Sequence, residues 1–174
     1  MTEKQPYRVI SQMQGFELRE YPAYTTIAVD VQESFNDSVN RGFGPLVRYI
    51  GGANSDGTKI AMTTPVIQEP TTSGTQSVQF VMPAGMTVSQ MPAPADARVA
   101  RQEVSAHLGA AIRYTGLATE SAFRKHLAKL TSAITAAGYE PAGPARSARF
   151  DPPWIPPFAR RNEVIIPVVP ISVA

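Results

Sequence analysis

Residues 24–52, YTTIAVDVQESFNDSVNRGFGPLVRYIGG, decide how the rest of the chain is read. Ile27, Val29 and Val31 alternate with Ala28, Asp30 and Gln32, the period of two that marks a half-buried strand. From Ser34, a good N-cap, the period changes to three and four. Phe35, Val39, Phe43, Leu46, Val47 and Ile50 then form the apolar stripe of a helix. Gly42, Gly44 and Pro45 interrupt the stripe and predict a kink, and Gly51-Gly52 end it.

Outward from this stretch the order repeats. A strand at 15–21 is expected to pair with 24–32 across Tyr21-Pro22-Ala23, and strands at 58–67 and 77–83 follow the helix. After a Pro/Ala/Met-rich connector at 84–97 come strands at 98–104 and 107–115. A second helix runs from an N-cap at Thr119 to Gly138, with Phe123, Leu127, Leu130, Ile134 and Ala137 as its stripe. Strands at 146–150 and 162–169 close the pattern, with the stiff loop 151–158, DPPWIPPF, between them. The expectation is an α+β fold with a duplicated ββαββ pattern. Its eight antiparallel strands curl into a distorted barrel flanked by two helices. One domain spans 1–174, with halves at about 7–83 and 98–169.

Composition narrows the function. A net charge of +2 and the lack of a basic run argue against nucleic acid as a partner. The absence of cysteine excludes disulfides, zinc-thiolate sites, iron–sulfur clusters, thiol nucleophiles and haem attached through Cys-x-x-Cys-His. Sixteen prolines fall mainly at strand ends and in connectors, where a fixed φ costs little, so they do not signal disorder. The polar N-terminus predicts no signal peptide, and the longest apolar stretch, 164–174, is too short to span a membrane. A cytoplasmic, monomeric protein is the expectation.

No catalytic motif is present, so no catalytic residue is assigned. Of the two histidines, His107 lies on the polar face of its strand and His126 borders the second helix stripe. His126 is the weak candidate for a metal ligand. Met82, Met86 and Met91 sit close together and either fill core gaps or line an apolar pocket. Arg160-Arg161-Asn162-Glu163 is either an ion pair that locks the proline loop or a cationic clamp for a carboxylate.

Three blocks, together with Phe16-Glu17-Leu18-Arg19-Glu20-Tyr21, resemble the SOUL haem-binding protein family. They are Tyr49-Ile50-Gly51-Gly52-Ala53-Asn54, Lys59-Ile60-Ala61-Met62-Thr63-Thr64-Pro65-Val66, and Phe150-Asp151-Pro152-Pro153-Trp154 continuing through Phe158 to Val164. The resemblance implies noncovalent binding of haem (b-type) or another tetrapyrrole in a mainly apolar groove along the first helix. The matching helix positions are Asn40, Phe43, Val47 and Arg48, with Asn40 standing where one branch of the family has a base. Ile155 likewise replaces a basic residue of the proline loop. The stretch Arg19-Glu20-Tyr21 lacks the histidine suggested as iron ligand in another branch.

Haem needs an apolar groove and cations about a porphyrin radius away. Phe43, Val47 and Met62 are the candidates for the groove, and Arg48 with Arg41 or Lys59 for the propionates. The expected role is carriage, buffering or sensing. Two other readings remain open. One is an interaction module using loop 151–158; the other is a small-ligand enzyme on a gyrase-inhibitor-like fold, with Glu103, Tyr114 or Glu163 in its pocket.

Overall fold

A computed structural model describes residues 1–173. In chain order its elements are β1 (Glu3–Lys4), β2 (Arg8–Met13), β3 (Phe16–Tyr21), β4 (Tyr24–Val31), α1 (Phe35–Ile50), β5 (Thr63–Thr64), β6 (Val66–Pro70) and β7 (Gln76–Val81). Then follow β8 (Ala100–Val104), β9 (His107–Tyr114), α2 (Glu120–Ala136), β10 (Tyr139–Pro141), β11 (Arg146–Arg149) and β12 (Asn162–Pro170). The fold is α+β, with two helices, antiparallel ladders throughout the main strands and one short parallel pair, β1 with β5. The chain forms two compact units, residues 1–6 with 23–105 and residues 7–22 with 106–174.

In the first unit the strand order is β6-β7-β4-β8, all antiparallel. Register places Val29 opposite Val78 and Ile27 opposite Phe80. The alternation read in 24–32 is there, but Thr25, Thr26 and Ala28 are buried as well, so both faces of β4 are covered. Ser34 caps α1 by accepting from the Asp37 N–H at 3.3 Å. The helix continues unbroken through Pro45 to Ile50. Gly42 sets its seat, because a Cβ there would lie 2.8 Å from Val78 Cβ, so the backbone can approach β7 only without a side chain. Leu46, Tyr49 and Ile50 then enter the core with Ile27, Val78 and Phe80.

In the second unit the order is β2-β3-β9-β12-β11, and β10 pairs with the far end of β12. Thr119 caps α2 by accepting from the Ala122 N–H at 3.2 Å, and Gly138 follows the helix with a positive φ of 85°. Phe123, Leu130 and Ile134 bury one face of α2, while Leu127 and Ala137 are half-buried.

Three expectations are corrected. Residues 15–21 and 24–32 do not pair with each other; β3 pairs with β2 and β9, and β4 with β7 and β8. A two-residue hairpin favours residues that accept positive φ. Gln14-Gly15 provides one, with Gly15 at φ +90, whereas Pro22-Ala23 does not. Nor does a barrel close, because among the described residues no ladder joins the first and last strands of either order. The expected strand 58–67 is two strands, β5 and β6, separated by Pro65, which has no N–H to give a ladder.

Candidate functional site

The exposed face of α1 carries the helix residues expected to bind a ligand. Helical spacing sets Asn40, Phe43 and Val47 on one line and Arg41 and Arg48 on the next. Arg41 and Arg48 stand about 10 Å apart along the axis, at 1.5 Å per residue. Phe43 is 40% exposed and Val47 38%, although both belong to the apolar stripe read from the sequence. Gly42 explains this. The helix seats on Gly42, Pro45, Leu46 and Tyr49, which turns Phe43 and Val47 to the rim. Phe43 keeps one contact inward, an edge-on packing against Phe80 at 5.1 Å between ring centres.

The cations beside this strip are lightly held. Arg41 Nε meets Glu33 at 3.1 Å, and Arg48 Nη2 lies 3.7 Å from Asp96, whose closer partner is Arg98. The hydrogen bonds and charge of Arg98 hold the Asp96 carboxyl down to about 2. A Cβ on Gly44 would meet Arg48 Nη1 at 3.4 Å, so that guanidinium leans back over the helix. A cleft of about 320 Å3 adjoins it, lined by Pro45, Arg48, Tyr49, Ala53, Asp96 and Val99 among others. Tyr49 is anchored below by donating to the Pro92 carbonyl at 2.7 Å.

Other expected residues fall elsewhere. Lys59 is exposed in the segment before β5. Met62 and Met86 are half-buried against the first unit's core, and Met82 and Met91 lie within it, so these methionines fill core space. Both histidines belong to the second unit. His126 Nδ1 donates to the Ala122 carbonyl at 2.7 Å and its ring stacks on Tyr114 at 4.1 Å, which leaves Nε2 as its available nitrogen. His107 stacks on Tyr21 at 5.2 Å. Among the described residues no group of three or more His, Asp or Glu is placed to hold a metal ion.

The Arg160–Glu163 run divides by role. Arg160 donates to the Ile155 and Pro153 carbonyls and pins the proline loop. That loop displays Trp154 and Phe158, each 80% exposed. Arg161 and Glu163 instead join a cluster with Arg19. Glu163 is fully buried and accepts from Arg19 at 2.7 and 3.0 Å and from Arg161 at 2.7 and 3.1 Å. Burial lowers the Arg19 guanidinium, but Glu163 and Tyr21 outweigh it and leave it above its ordinary value. Burial pushes the Tyr21 phenol up to about 12 against the opposing pull of Arg19. No local pattern ties Arg19 to this cluster, because 144 residues separate it from Glu163. Of the other residues weighed for an enzyme, Glu103 is exposed, and Tyr114 is buried against His126 with its phenol raised by that burial.

Comparison with known proteins adds a family. The family model for the SOUL heme-binding protein matches residues 2–167. The chain belongs to the SOUL heme-binding protein family. Among SOUL relatives, "Heme-binding protein 1" of Xenopus laevis is 26% identical over 156 residues, 86% of this chain and 82% of the relative. The EcmrR C-terminal domain superposes with a TM-score of 0.67 at 14% identity, covering 95% of this chain and 99% of that one. A hydrolase from Listeria innocua superposes with a TM-score of 0.60 at 11% identity, over 92% and 94% of the two chains. At such identities these structures show that the SOUL chain shares their fold. Among the described residues no helix is long and apolar enough to cross a membrane.

Proposed function

We propose that this SOUL protein binds haem or a related tetrapyrrole noncovalently on the exposed face of α1, for carriage, buffering or sensing. Family membership over residues 2–167 carries the reading, and the Xenopus laevis relative is named a heme-binding protein. The residues fit the group. Phe43 and Val47 offer an exposed apolar strip to a flat ring, with Met62 as a further apolar candidate. Arg48 and Arg41 flank the strip as partners for propionates, with Lys59 the third cation and Asn40 a hydrogen-bonding neighbour. Burial of apolar surface at roughly 25 cal/mol per Å2 supports micromolar binding after the costs of association.

The first unit, which holds this face, contains no histidine. Affinity is therefore expected to rest on the ring and the propionates; His126, the weak candidate for a metal ligand, belongs to the second unit. Titration with haemin and with metal-free protoporphyrin, repeated on His107→Ala and His126→Ala, tests this. Comparable affinities and an unchanged Soret band in both variants are expected. No Soret change with either compound defeats the tetrapyrrole reading.

The exposure of Trp154 and Phe158 favours a second reading, an interaction surface for another protein on the pinned proline loop. Under it, Trp154→Ala leaves haemin affinity unchanged and has its effect on that association.

A further inference from the structure

A different cleft, in the second unit, shows an unbalanced set of polar groups. It has a volume of about 420 Å3, and Tyr7, Glu17, Arg19, Arg113, Arg161 and Glu163 are among its walls. Both carboxylates are already engaged. Glu163 receives four hydrogen bonds from Arg19 and Arg161. Glu17 receives Gln12 at 3.0 Å and Arg19 at 2.8 Å. Every nitrogen of the Arg19 guanidinium has an acceptor, since Nη1 also reaches the Tyr21 hydroxyl at 3.1 Å.

The spare capacity is all on the donor side. Tyr7 uses its hydroxyl oxygen to accept from Arg161 Nη2 at 3.0 Å, and no acceptor among the described residues takes the phenolic proton. Arg161 bonds through Nε and Nη2, so its Nη1 is left over. Arg113 stands directly across from Glu163 in the β9–β12 ladder. Glu163 is saturated from the other side, and the Arg113 guanidinium has no partner among the described residues. Arg161 immediately precedes β12, bonds Glu163, and lines the same cleft as Arg113.

Three guanidinium groups thus face two carboxylates, and the surplus is cationic. Phe16, Met13 and Ile112 supply apolar wall to the same cleft. We infer that this cleft binds a small organic carboxylate. Its carboxyl group would be received by Arg113, Arg161 Nη1 and the Tyr7 O–H, and its apolar body would lie against Phe16 and Met13. Guanidinium forks suit a carboxylate acceptor, and Arg161, whose side chain is only 16% exposed, gives its bond with little competition from water. An ammonium ligand finds no free carboxylate here. This site does not depend on the tetrapyrrole reading, because all its residues belong to the second unit.

The test is titration of the whole protein with benzoate and hexanoate at low ionic strength, followed by amide chemical shifts, with hexylamine and hexanol as controls. Both carboxylates are expected to bind with a Kd of about a millimolar or tighter, and to shift the amides of Gly15, Phe16 and Arg113. Arg113→Gln should weaken binding by at least about fivefold while leaving the melting temperature unchanged, because its guanidinium is exposed and unpaired. Tyr7→Phe should weaken it about two- to fivefold. Failure to bind either carboxylate at about 10 mM overturns the inference. So does equal binding of hexylamine or hexanol, or benzoate affinity that ignores Arg113→Gln.

Discussion

The two units seat one helix each on an antiparallel sheet, yet they treat their unusual residues in opposite ways. The first leaves apolar side chains outside: Phe43 and Val47 sit on the rim of α1, and the neighbouring Arg41 and Arg48 are exposed beside single half-buried carboxylates. The second takes charge inside: Arg19 and Glu163 are buried and bonded on all sides. An exposed apolar strip adds little to folding and is free to meet a ligand. A buried ion cluster is expensive to desolvate and holds only while every partner is present. The same fold therefore has a half whose surface can be altered at low cost and a half whose strands depend on one another's charges.

The largest test of this contrast removes Glu163. Glu163→Ala leaves Arg19 and Arg161 without their shared acceptor and should lower stability by about 3–5 kcal/mol in urea unfolding. A loss below about 1 kcal/mol would mean that the cluster is not what ties β3 to β12.

The next effect depends on pH. Tyr21 titrates near 10 when unfolded and is raised to about 12 in the fold. Its contribution is complete below pH 10 and is lost as pH rises through 12, because the unfolded chain ionises first. The difference amounts to roughly 2–3 kcal/mol at the alkaline end. Tyr21→Phe should therefore flatten the stability profile between pH 10 and 12, and an unchanged slope would remove Tyr21 from the account.

The smallest effect lies on α1. Arg48→Gln should weaken haemin binding about two- to fivefold, through one exposed cation, with little change in unfolding free energy. A loss of stability comparable to that of Glu163→Ala would erase the contrast between the units.

Much of this was legible beforehand, for local reasons. The periods of 24–50 and 119–138, the two N-caps and the closing glycines placed both helices, because capping and periodicity are written within a few residues. What was missed depended on neighbours remote in sequence. Nothing in residues 15–32 says that β3 joins β9, although Gln14-Gly15 was a readable hairpin signal for β2 and β3. The rotation of α1 came from Gly42 meeting Val78, 36 positions away, so the sequence placed Phe43 and Val47 in a stripe but not on its rim. The Arg19–Glu163 pair was invisible for the same reason, although Arg161 and Glu163 were singled out.

The central claim is that the α1 face binds the tetrapyrrole. Haemin titration of Phe43→Asp beside Trp154→Ala tests it most directly, with unfolding curves to show that both variants fold. The account predicts that Phe43→Asp weakens haemin binding by at least about tenfold, through a charge set against the ring, while Trp154→Ala binds like the parent protein. Unchanged affinity in Phe43→Asp, or loss of binding in Trp154→Ala alone, would contradict it.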